Sequence, residues 1–208
     1  MRCSATGQCD VTACGRSLRH LTLIVSVGSL ILACEVALAG ELTPPDDDST
    51  VGREVPSFYV RAVTGPLSGK SVCYVCRNGD RPVVLVLLRE LGPDATALLK
   101  ELDRTVNRHR ADGLRCFAVL LTDVPQRDFG QLQTLAFDEK IELPLTLAGE
   151  SVTAGSSLAL PRDAAVTVVT YQDRCVVQRF SYKSGACDET ARRSILDASE
   201  KLLTVESR

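Results

Sequence analysis

Two apolar runs joined by one amphipathic stretch constrain this chain more than anything else in it. Pro82-Val83-Val84-Leu85-Val86-Leu87-Leu88 offers no polar residue to turn toward water and contains β-branched members. It predicts a strand covered on both faces. Pro93 and Asp94 open the next segment, where Ala95, Leu98, Leu99, Leu102 and Val106 recur at the helical period until Gly113. Cys116-Phe117-Ala118-Val119-Leu120-Leu121 repeats the strand pattern. Strand, helix and strand at this spacing form a βαβ unit, so the two strands run parallel and the fold class is α/β.

The flanking sequence extends the pattern. Ser57 to Val63 alternates as a strand should, and Gly65, Pro66 and Ser68-Gly69 mark a turn before an extended stretch through Val72. Cys73-Tyr74-Val75-Cys76 and the polar Arg77-Asn78-Gly79-Asp80 follow. Phe129, Leu132, Leu135 and Ala136 mark a further helix, and Leu143 to Leu147 an extended segment entered through Pro144. Gly149 to Pro161 reads as a loop. Ala164–Thr170 and Cys175–Tyr182, separated by Tyr171-Gln172-Asp173-Arg174, form a β-hairpin. Asp188 is placed to cap a last helix that sets Ala191, Ile195, Leu196, Ala198, Leu202 and Leu203 on one face.

The N-terminal region is of another kind. Arg2, Arg16 and Arg19 precede the apolar run Leu21–Leu32, and Ala37-Leu38-Ala39 before Gly40 is the small-x-small pattern of a cleavage site. Residues 1–39 are expected to be a signal peptide cleaved after Ala39. Two alternatives stay open: lipidation of Cys34 in Ile31-Leu32-Ala33-Cys34, and retention of Leu21–Ala39 as an uncleaved anchor. Each exports the domain to the periplasm or the extracellular space. After cleavage no integral membrane domain is expected. Residues 40–50, with Pro44, Pro45 and Asp46-Asp47-Asp48, read as a disordered linker, and 51–205 as the folded domain.

That division changes the cysteine count. The chain has nine cysteines, but Cys3, Cys9, Cys14 and Cys34 leave with the export segment. Cys73, Cys76, Cys116, Cys175 and Cys187 remain, an odd number, so at least one is free or paired outside the chain. Lys and Arg number 24 against 26 Asp and Glu, which leaves no cationic footprint for nucleic acid. The histidines are His20 and His109, and the first lies in the export segment, so a two-histidine metal site is not available. No cofactor is expected.

Three local motifs carry a family likeness. Val51-Gly52-x-x-Val55-Pro56-x-Phe58 is similar to the opening of redoxin domains, Gly69-Lys70 before Pro82–Leu88 to the approach to their central strand, and Glu142-Leu143-Pro144-Leu145 to a segment after their second helix. Over roughly Val51 to Leu203 the chain resembles the thioredoxin-like superfamily, in its redoxin and peroxiredoxin-like branch. The resemblance implies a three-layer fold with a central mixed β-sheet flanked by helices. In that family the reactive thiols follow the central strand and open the next helix, where the dipole stabilises a thiolate. Here the place reads Leu91-Gly92-Pro93-Asp94 and holds no thiol.

The one Cys-x-x-Cys, Cys73 and Cys76, comes before the central strand, at the opposite end of the sheet, where no helix start is expected. Lys70, Arg77 and Arg81 are near enough in sequence to lower a thiol pKa. An extended Cys-x-x-Cys separates its Cα atoms by roughly 10 Å, whereas a disulfide needs them within about 7 Å. The pair bridges only if Tyr74-Val75 makes a turn. Three readings stay open: a redox-active pair exchanging disulfides with protein thiols, a structural staple in a redox-inactive binding or scaffold module, and part of a metal-binding module. The resemblance favours Cys73 as the attacking thiol. Cys116 is expected at the same sheet end, as a buried hydrophobe or a third thiol. Cys175 is expected at the edge of the last strand, Cys187 as an exposed loop cysteine, and His109 as a solvated residue near a helix C-terminus.

Overall fold

The computed structural model describes residues 49–149, 158 and 160–204. They fall within the compact unit Thr43–Arg208. The proposed export segment with Cys34, the linker up to residue 48 and most of the loop after Gly149 lie outside the described residues.

The strand β3 (Val83–Leu88) has all six residues buried. It pairs in parallel with β4 (Arg115–Leu121), from Val83↔Arg115 to Leu88↔Leu120, across the helix α2 (Pro93–Arg108). The βαβ unit is as the apolar runs require. A second crossover through α3 (Pro125–Glu139) brings β5 (Leu145–Ala148) parallel to the far side of β4. On the other flank β6 (Val166–Gln172) runs antiparallel to β3, and β7 (Cys175–Tyr182) pairs with β6. β1 (Val60–Ala62) lies against β5 and β2 (Ser71–Val72) against β1, giving a seven-stranded mixed sheet ordered β2-β1-β5-β4-β3-β6-β7.

Because side chains alternate along a strand, the sheet buries two clusters. On one face Val84, Val86, Leu88, Cys116 and Ala118 meet Leu98, Leu99 and Leu102 of α2, Leu132 of α3, and Ile195 of α4 (Glu189–Lys201). On the other, Val83, Leu85, Phe117 and Val119 are covered by Val55 and Phe58, by Tyr74 and Val75, and by Leu158. The long helices thus share one face, while the second is roofed by a short helix and irregular segments. Each fully buried Leu or Val contributes roughly 1.5–3 kcal/mol, and the central strand supplies such residues to both clusters.

Local chemistry sets the joints. Asp188 Oδ1 accepts from the Ala191 N–H at 2.8 Å and starts α4 as expected. The hairpin turn is tighter than the sequence predicts. Tyr171 and Gln172 belong to β6, and only Asp173 and Arg174, both left-handed with φ 52° and 61°, turn the chain. An arginine is unusual there, and Glu54 holds its guanidinium at 2.8 Å. Asp103, buried on α2, accepts from the N–H groups of Glu142 and Leu143 at 3.0 and 2.7 Å and so fixes the chain entering β5. Among the described residues no helix is long and apolar enough to cross a membrane.

Candidate functional site

The turn that bridging requires at Tyr74-Val75 is present, as a short helix: α1 spans Tyr74–Asn78. Its apolar residues explain the turn. Tyr74 and Val75 are buried, and the Tyr74 ring stacks on Phe117 of β4 at 5.1 Å between centroids. Cys73 is the N-cap, with Sγ accepting from the Cys76 N–H at 3.2 Å, and Gly79 at φ 57° ends the helix. This one turn brings the two Cα atoms to 5.3 Å, and Cys73 and Cys76 are joined as a disulfide. A helix start was not expected here; long-range packing of Tyr74 on the sheet creates it.

The two sulfurs are not equivalent. Cys73 is 6% exposed and belongs to the cluster under α1, while Cys76 is exposed. Cys76 is therefore the more accessible residue of the pair. At the other end of β3, about 20 Å away at a strand's rise per residue, α2 starts with Gly92 as N-cap, Pro93 in the first turn and Asp94 behind it. The place where the resembled family carries its thiols is therefore built in backbone but holds no thiol.

The remaining candidates separate. Cys116 sits at the same sheet end as α1 but faces the long helices, whereas Cys73 faces the opposite layer. Burial, with a further push from the Asp103 carboxylate, holds its thiol far above the ordinary range, so it acts as a hydrophobe at neutral pH. Cys187 is not an exposed loop residue: it is 1% exposed, packed in the helix-side cluster, and burial pushes its thiol up to about 11. α4 docks closely enough to bury the residue before its cap. Cys175, first in β7, is exposed. His109 is the C-cap of α2, and its Nδ1 lies 2.9 Å from Asp112 and its Nε2 3.6 Å from Glu200. It is half-buried between carboxylates rather than solvated. Among the described residues no group of three His, Cys, Asp or Glu is placed to hold a metal ion.

Beside α1 the structure opens a cavity of about 300 Å³ at the end of the sheet, which takes in Tyr74 and Arg77 of α1, Arg81, and Arg110 and Arg115 from around the α2–β4 connection. Sequence reading picks out Arg77 and Arg81 as neighbours of the cysteines but not Tyr74, Arg110 or Arg115. The last two stand more than 30 positions away, and no local pattern relates them to α1.

No protein-family model matches the sequence, and no curated protein matches it either. Solved structures do. A peroxidoxin of Mycobacterium tuberculosis superposes with a TM-score of 0.57 at 17% identity, over 76% of this chain and 99% of that one. A secreted disulfide oxidoreductase of the same organism gives 0.53 at 12% identity, over 70% and 96% of the two chains. A secreted thiol-disulfide isomerase from Corynebacterium glutamicum gives 0.57 at 12% identity, over 73% and 86%.

Proposed function

We propose that the chain is an exported thiol–disulfide exchange protein that works through Cys73 and Cys76 and acts on protein thiols or disulfides. The thioredoxin-like fold that these likenesses show, a seven-stranded mixed sheet with flanking helices, supports the reading. The observation that carries this reading is the bridged pair in which one residue, Cys76, is exposed beside a buried one, Cys73. In the oxidising direction a substrate thiolate attacks Cys76 Sγ, the bond to Cys73 breaks, and its electron pair leaves on the Cys73 sulfur. The Cys76 N–H already points at that atom and stabilises the charge. A second substrate thiolate then displaces Cys76. The substrate gains a disulfide, and its two thiol protons end on Cys73 and Cys76. Reduction of a substrate is the reverse.

Support for export comes from the Leu21–Leu32 run with Ala37-Leu38-Ala39, and from fold neighbours described as secreted. Residues 1–39 are proposed to be removed, 40–50 to link, and 51–205 to form the exported domain.

A second reading, a redox-inactive module stapled at Cys73–Cys76, draws on the burial of Cys73 and of Val75, which is 0% exposed. Insulin reduction and the reduction potential of the purified chain separate the two. Exchange predicts activity that falls to background in Cys76→Ser, and a Cys73→Ser variant that traps a mixed disulfide on Cys76. A potential below about -300 mV, typical of inert structural bridges, with no trapped species, decides for the staple.

A further inference from the structure

The cavity beside α1 has a charge pattern that the fold does not use. Four arginines, Arg77, Arg81, Arg110 and Arg115, line it. They come from three separate stretches: the end of α1, the approach to β3, and the connection from α2 into β4. Among the described residues none of the four is within ion-pair distance of a carboxylate. Arg115 spends one Nη1 on the carbonyls of Arg110 and Leu114, at 2.9 and 2.8 Å, and Arg110 donates to the Asn107 amide. Partial burial, with repulsion from the nearby Arg81 and Arg110, holds the Arg115 guanidinium below its ordinary pKa. Bringing like charges together raises the free energy of the site, and a bound anion lowers it.

Two acids also line the cavity, Asp103 and Glu142. Asp103 is engaged by the Glu142 and Leu143 N–H groups, and both carboxylates receive the Asn107 amide. Four positive against two negative charges leave a surplus of two. The C-terminus of α2 also faces this end, but its dipole amounts to roughly half a negative charge, too little to cancel that surplus. A second, independent observation comes from Tyr74. Its side chain lines the cavity, the residue is 7% exposed, and its hydroxyl is buried with no hydrogen-bond partner. A buried hydroxyl without a partner costs free energy, and a ligand oxygen would satisfy it. Leu67, Val106 and Leu143 supply apolar wall, where the Arg forks and the Tyr hydroxyl meet an anion at reduced dielectric.

We propose that this cavity is a binding site for a small dianion carrying phosphate or carboxylate groups, held by Arg81, Arg110 and Arg115 with the Tyr74 hydroxyl as a further donor. Neither Cys73 nor Cys76 lines the site, and it is independent of whether they exchange electrons.

The test is calorimetric titration of the full chain with inorganic phosphate and, separately, with succinate, in a phosphate- and sulfate-free buffer at constant ionic strength, with chloride as control. One saturable site per chain is expected for at least one dianion. Saturation by phosphate alone assigns a phosphoryl ligand, by succinate alone a dicarboxylate, and by both the shared chemistry. Because Arg115 also braces two carbonyls, the primary variants are Arg81→Gln and Arg110→Gln. Each is expected to weaken binding about tenfold, the size of one charge-assisted bond, while Tyr74→Phe weakens it severalfold without lowering the melting temperature. Titrations indistinguishable from chloride, or arginine variants that bind as the parent does, overturn the proposal.

Discussion

At its C-terminal end β3 runs into Gly92-Pro93 and a helix of 16 residues; at its N-terminal end it is preceded by a helix of 5 residues capped by Cys73. The long helix offers the aligned amides and dipole that stabilise a thiolate, and the positions that would use them are Leu91 and Asp94. The short helix offers the sulfurs without a comparable field. The difference teaches that a thiolate-stabilising backbone and a bridged Cys-x-x-Cys pair are separable parts of one fold. At the N-terminal end, the proposed exchange draws on the exposure of Cys76 and on one N–H to Cys73, not on a long helix.

Three measurements bear on that contrast. The largest effect is expected from Tyr74→Ala, which removes the ring stacked on Phe117 and should cost about 3 kcal/mol in urea melts, the range of buried aromatic truncation. Leu91→Ala, at the partly exposed opposite end, should cost well under half of that. Equal losses would mean that Tyr74 does not anchor α1. Next, reducing Cys73–Cys76 should cost about 2 kcal/mol, the chain entropy of so short a ring. A much larger loss, measured by melts with and without reductant, would make the bridge a structural requirement and weaken the exchange reading. The smallest effect is expected from Asp94→Asn, which removes an acid from the first turn of α2 and should lower stability by about 0.3–1 kcal/mol. A rise in stability instead would show that the helix start no longer favours negative charge.

Much of the architecture was legible because it is written in local periodicity. The apolar run 82–88, the helical spacing of Ala95, Leu98, Leu99 and Leu102, and the alternation around the hairpin each report their element without reference to the rest of the chain. The candidate site was legible only as an inventory. The disulfide partners could be named, and their bridging was correctly tied to a turn at Tyr74-Val75, but that turn depends on Phe117, 43 positions after Tyr74. Cys187 was misplaced for the same reason. Its neighbours in sequence mark a helix start, which is usually exposed, while its burial comes from the docking of α4 on the sheet.

By itself the sequence determined the α/β class, the βαβ centre, the absence of thiols at Leu91 and Asp94, and the identity of the one Cys-x-x-Cys, because each follows from residue type and from spacing over less than one element. Only the tertiary structure decided that Cys76 is the exposed residue of the pair, that Cys116 faces the opposite layer from Cys73, and that four arginines meet beside Tyr74. Those facts depend on which face of the sheet each strand residue takes and on which distant segments the crossovers bring to one end. Solvent exposure and charge proximity are properties of packing, and a chain's spacing does not carry them.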